Sequence, residues 1–146
     1  MTSDEIWSNL YDKGINEGVD SFSVLQKNVY YYIDFFYYVE MGDFLYNKSP
    51  CSPGENHYKP YIDSWKFFDY NKLADLVQEY NNKYLYAFKE LKEDESMPTD
   101  EFKKRFGLID IGNKIELEIQ AVIKDIQSIY NFIDRNRNEI TKGINL

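Results

Sequence analysis

The sequence predicts an all-α fold, a single-domain bundle of five to six helices over residues 1–146, and three observations predict it. Apolar residues recur at spacings of three and four over long stretches, most clearly at Leu73, Leu76/Val77, Tyr80, Tyr84, Ala87/Phe88 and Leu91 and again at Ile115, Ile119, Val122, Ile126, Ile129/Tyr130 and Ile133. Pairs with capping-box spacing, Thr2/Glu5, Ser23/Gln26 and Asn113/Glu116, stand where helices should begin. No run alternates apolar and polar residues as a half-buried strand does. The alternative is an α+β fold with a strand at 28–39, where β-branched and aromatic residues crowd together.

The first helix starts after Thr2, whose hydroxyl can accept the Glu5 N–H, and carries Ile6, Trp7, Leu10 and Tyr11 as one stripe. Gly14 is placed to end it in a left-handed cap, leaving residues 15–20 as a loop. After Ser23 comes Val29-Tyr30-Tyr31-Tyr32-Ile33-Asp34-Phe35-Phe36-Tyr37-Tyr38-Val39, read as a helix that is apolar on two faces and ends near Met41-Gly42. A helix of that kind must be enclosed by neighbours, so it takes the centre of the bundle. Pro50, Pro53-Gly54 and Pro60 then break the chain into a long loop at 42–60, with Phe44, Leu45 and Tyr46 available to pin it to the core.

A short helix through Tyr61, Ile62, Trp65 and Phe68 follows, and the Asp69-Tyr70-Asn71 turn leads into a longer one with Glu79 and Lys83 paired one turn apart. Pro98 ends a polar linker, Thr99 to Phe106 makes a short helix stopped by Gly107, and a helix of about five turns runs on from Asn113. The polar tail at about 136–146 is expected to fray.

Composition narrows function mainly by exclusion. Aromatics reach 18% and apolar residues 43%, too much apolar matter for a disordered chain. No window approaches the apolar length of a membrane span, and the N-terminus lacks the basic and apolar segments of a secretory leader, so a cytoplasmic protein is expected. A lone cysteine, Cys51, forms no internal disulfide. The net charge of −8 disfavours direct nucleic-acid binding, which needs clustered Lys and Arg.

That charge is uneven. Residues 1–46 hold eight acids, Asp4, Glu5, Asp12, Glu17, Asp20, Asp34, Glu40 and Asp43, against two bases, Lys13 and Lys27. A one-sided field of this sort favours basic partners, and these eight residues are the candidate partner-binding set. A single histidine, His57, removes most metal and acid–base options, and no metal-binding, cofactor-binding or catalytic motif is recognised. His57 lies six residues after Cys51, so a small hydrolase using that pair is one alternative. A structural or oligomerising module that uses the tyrosine-rich stretch in a homodimer is another.

Three segments, Glu5-Ile6-Trp7-Ser8-Asn9-Leu10-Tyr11, the helix start from Ser23 to Tyr32, and Glu40-Met41-Gly42-Asp43-Phe44-Leu45-Tyr46-Asn47, resemble a bacterial family of acidic, all-helical proteins that includes a DNA-mimic protein blocking a transcription factor. The resemblance covers residues 3–91, and Glu40, Gly42, Phe44 and Asn47 match the family's hallmark, whose Asn pair and Gln have no counterpart here. It implies a helical fold that sequesters a protein. The expected function is therefore a non-enzymatic acidic protein that binds a basic partner, either a DNA-binding protein or a nuclease-type toxin, as a nucleic-acid mimic or an immunity-type inhibitor.

Overall fold

The computed structural model describes residues 1–42, 44–47, 57–90 and 99–146. Among these residues the regular structure is all helical, in the order α1 (Ser3–Glu17), α2 (Val24–Glu40), α3 (Phe44–Asn47), α4 (Lys59–Phe67), α5 (Asn71–Glu90), α6 (Thr99–Arg105), α7 (Leu108–Lys124), α8 (Ile126–Arg135) and α9 (Arg137–Thr141). The segment 28–39 is helix, not strand. No helix among the described residues is long and apolar enough to cross a membrane.

Both N-terminal capping boxes form. The Thr2 N–H donates to the Glu5 carboxylate at 2.6 Å and the Glu5 N–H to the Thr2 hydroxyl at 3.2 Å, while Ser23 and Gln26 exchange the equivalent bonds at 2.7 and 3.2 Å. Each box satisfies two of the backbone donors that a helix start leaves open. Helix α1 does not stop at Gly14, however; it continues to Glu17, and Gly18, with φ +81°, closes it by donating to the Gly14 carbonyl at 2.9 Å. Gly14 is instead the point of closest approach to α2. A Cβ there would stand 2.2 Å from a ring carbon of Tyr30, so the glycine is required by packing and not by backbone conformation.

Helix α2 is the hub, packed against α1, α3, α4 and α9. Val29, Tyr30, Tyr32, Ile33 and Phe35 are all buried on it. Phe44 and Leu45 of α3 are buried as well, and Phe44 meets Phe35 edge-on at 5.3 Å, Tyr61 at 5.2 Å and Trp65 at 5.7 Å. Edge-to-face contacts contribute about 0.5–1.5 kcal/mol each beyond area burial, so this aromatic knot locks α2, α3 and α4 together. Residues 43 and 48–56 of the anticipated 42–60 loop lie outside the described residues.

Helix α4 carries Pro60 in its first turn, where a missing N–H costs nothing. It runs antiparallel to α2: the Ser64 hydroxyl donates to the Asn28 carbonyl at 2.6 Å, and further along the Tyr61 hydroxyl donates to Asp34. Asp69, at φ +64°, makes the turn into α5, a conformation that aspartate tolerates better than most residues. In α5 the predicted stripe is buried at Leu73, Val77, Tyr80, Tyr84 and Ala87, and Glu79 pairs with Lys83 at 3.6 Å on the outside.

Two boundaries further on differ from the sequence reading. Helix α7 begins at Leu108, directly after the left-handed Gly107 (φ +70°), and not at Asn113; Leu108 and Ile111 are buried and draw the extra turn into the core. The long C-terminal helix is broken at Asp125, whose carboxylate accepts the Ser128 hydroxyl at 2.7 Å and the Tyr70 hydroxyl at 2.8 Å. The tail does not fray over its length. Helix α9 buries Ile140 completely, and the Gln26 side chain donates to the carbonyls of Ile140 and Lys142 at 2.9 and 3.0 Å.

Candidate acidic interaction surface

Helices α1 and α2 form an antiparallel pair, with Trp7 against Phe36 and Tyr37 near one end and Gly14 against Tyr30 near the other. That pairing sets the positions of the candidate carboxylates. Asp4 and Glu40 come to the same end of the pair, Asp12 lies midway along α1, and Asp20 sits in the connection at the far end. All four are exposed.

The other four candidates are drawn away from a common surface. Glu5 is exposed but its carboxylate closes the α1 capping box, and the Thr2 backbone bond holds its pKa below the usual glutamate range. Glu17 is neutralised by Lys13 at 2.8 Å. Asp43 lies outside the described residues. Asp34 requires a correction: it is only 6% exposed and accepts a hydrogen bond from the Tyr61 hydroxyl, so it belongs to the interior. The cause is its register on α2, one turn from Tyr30 and Tyr31 on the side that α4 covers. Burial first, then the Asp34 charge, pushes the hydroxyls of Tyr11, Tyr30 and Tyr31 above the ordinary tyrosine range; for Tyr61 burial is again the main cause, followed by the bond to Asp34.

A second element joins the acidic end. Between α1 and α8 lies a cleft of about 480 Å³ lined by Ser3, Asp4, Gln127, Tyr130, Asn131 and Asp134. Behind it, the buried Trp7 ring stacks on Tyr130 at 5.0 Å and its indole N–H donates to the Tyr37 hydroxyl at 3.1 Å. Burial, and then the neighbouring Asp4 carboxylate, raises the Tyr130 pKa. Arg137 pairs with Asp134 and also donates to the Met1 carbonyl at 2.6 Å. Asp4 has no basic counterpart of its own among the described residues, so the cleft offers polar donors and acceptors around one uncompensated carboxylate.

The sequence reading missed the α8 contribution. Gln127, Tyr130, Asn131 and Asp134 occupy successive three- and four-residue spacings, a polar stripe that complements the apolar stripe Ile126, Ile129 and Ile133. The apolar half of that pattern was legible; that the polar half would meet Asp4 depends on α1 and α8 packing together.

The Cys51/His57 pair has no described geometry, because Cys51 lies outside the described residues; His57 is half-buried just before α4. Most of the tyrosine-rich stretch is core: Tyr30 and Tyr32 are buried and Tyr31, Tyr37 and Tyr38 half-buried. Among the described residues no three or more His, Cys, Asp or Glu side chains are grouped to hold a metal ion. Comparison with protein-family models, curated proteins and solved structures finds no match to this chain.

Proposed function

We propose that this protein acts without catalysis, by binding and sequestering a basic protein through exposed carboxylates spread along its α1–α2 pair, as a nucleic-acid mimic or an immunity-type inhibitor. The observation that carries the reading is that Asp4 and Glu40 at one end of the pair, Asp12 midway and Asp20 at the other end are all exposed, and that none has a Lys or Arg within ion-pair distance among the described residues. Uncompensated exposed charge costs self-repulsion in the free protein and is relieved by a partner of opposite sign. The α1/α8 cleft adds shape: an arginine or lysine side chain could enter it and meet Asp4 with hydrogen-bonding groups on either side. The resemblance of residues 3–91 to the acidic helical family points the same way.

Capture of partners from the source lysate on the immobilised full chain, followed by elution with increasing salt, tests the proposal. A captured protein that is basic and released by moderate salt supports it, because exposed charge contacts weaken as the screening length shortens. Capture of an acidic protein, or retention indifferent to salt, overturns it.

A further inference from the structure

The antiparallel packing of α2 on α4 leaves an open groove of about 540 Å³ on the outer side of the pair. From α2 it takes Val24, Lys27 and Tyr31, which recur at helical spacing, and from α4 it takes Pro60, Lys66 and Phe67. The Asn28–Ser64 and Asp34–Tyr61 contacts fix the register. Val24 and Phe67 therefore share one end, and Tyr31 and Pro60 the other, over roughly 10 Å of helix. Its apolar walls are unusually open to solvent for such side chains, with Val24 75% and Phe67 42% exposed.

The charge here is opposite to that of the acidic end. Lys27 and Lys66 line the groove, and neither is paired with a carboxylate among the described residues; the Asp63 carboxylate at the same site is engaged by Lys59 at 2.8 Å. In a chain of net charge −8, these two lysines beside an apolar floor stay unpaired although the Asp34 and Asp20 charges both reach Tyr31. We infer that this groove docks an acidic amphipathic helix of a partner protein, with its apolar face on Val24, Tyr31, Pro60 and Phe67 and its carboxylates on Lys27 and Lys66. A helix laid in a groove presents anchors at i, i+3, i+4 and i+7, which matches the length of this one. The open, two-ended shape suits such a segment better than an enclosed small ligand, whose sites bury most of its surface. This inference does not rest on the proposed function, since its anchors and its two lysines are not among the four acids of that reading, of which Asp20 alone lies near enough to Tyr31 to raise its pKa.

The test uses the full ¹⁵N-labelled chain and a synthetic helical peptide with leucines at i, i+3, i+4 and i+7 and glutamates on its flanks. A second peptide has lysine in place of each glutamate, and dodecanoate is a third probe. The acidic peptide is expected to shift the amide resonances of Val24, Lys27, Tyr31, Lys66 and Phe67, and the Lys27→Glu/Lys66→Glu double variant to weaken it by about tenfold or more, ~1.4 kcal/mol. Lys66 is exposed and Lys27 half-buried, and an unchanged circular dichroism spectrum confirms that the variant folds. Equal binding of the lysine peptide, binding unaffected by the double substitution, or shifts produced by dodecanoate alone would each overturn the inference. Because these readouts leave Asp4, Asp12, Asp20 and Glu40 untouched, failure here and failure of the acidic-surface proposal are distinguishable.

Discussion

At the scale of single residues, the chain contrasts two helical glycines whose replacement should change stability in opposite directions. Gly112 in α7 has open space where an alanine methyl would stand, so Gly112→Ala gains helix propensity and should stabilise the protein by up to about 1 kcal/mol. Gly14→Ala gains the same propensity but drives its methyl into Tyr30; overpacking of that kind costs about 1–3 kcal/mol and should win. Urea midpoints of the two variants, measured side by side, check the pair of signs. Tyr61→Phe provides a third residue-level expectation. It removes a donor from buried Asp34, and leaving a buried acceptor short of a partner costs about 1–3 kcal/mol, read as a lower urea midpoint with the helical spectrum retained. Neither Gly14 nor Asp34 was legible as it stands. A glycine after an apolar stripe reads as a terminator, and an aspartate among tyrosines reads as a surface acid, until the partners Tyr30 and Tyr61 are brought in from other elements.

At the scale of elements, local signals were legible where nothing distant competed with them, while Asn113/Glu116, with the same capping-box spacing, falls inside α7 because buried Leu108 and Ile111 extend that helix backwards. The capping boxes at Thr2/Glu5 and Ser23/Gln26 depend on residues three apart, and both are present. The apolar stripe of α5 needed only its own periodicity. The docking of α9, by contrast, rests on Gln26 reaching carbonyls more than a hundred positions away in sequence, and no local pattern announces it. Gln26 thus joins two tasks, and one substitution separates them. Gln26→Glu keeps an acceptor for the Ser23 N–H but loses the donors to Ile140 and Lys142, so amide exchange across 137–142 should accelerate while the start of α2 stays protected. Equal acceleration at both places would mean that the clamp and the cap are one unit. The break at Asp125 has a similar origin: apolar periodicity runs straight through it, and only the Tyr70 hydroxyl from another element shows why the helix pauses there.

At the scale of the whole molecule, the aromatic core predicts how the fold responds to alkali. Burial raises the pKa of Tyr30, Tyr32, Tyr61 and Tyr70 in the folded state above the ordinary value of 10.0. The native state then holds protons that the unfolded chain releases, so this contribution to stability is complete below pH 10 and is lost as the pH rises above it. Tyrosinate absorbance in the native protein should therefore fall short of the full complement of 14 tyrosines until circular dichroism reports unfolding. Early titration of all of them with the helices intact would contradict the buried arrangement. The same scale governs the candidate acidic residues. The concentration of acids in residues 1–46 was visible in the sequence, but their division was not: Asp34 goes inside, Glu17 to Lys13, Glu5 to a cap, and Asp4 to a cleft completed by α8.

The claim that location, and not net charge, makes this protein a binder of basic proteins is tested most directly by comparing two variants against the captured partner. One neutralises Asp4, Asp12, Asp20 and Glu40 as Asn or Gln; the other neutralises Asp75, Glu79, Asp110 and Glu139, which are also exposed, and so changes the net charge equally. The account predicts that the first variant loses both affinity and most of its salt dependence while the second binds nearly as the parent does. Equal losses in the two would show that the exposed carboxylates of the α1–α2 pair have no special part in recognition.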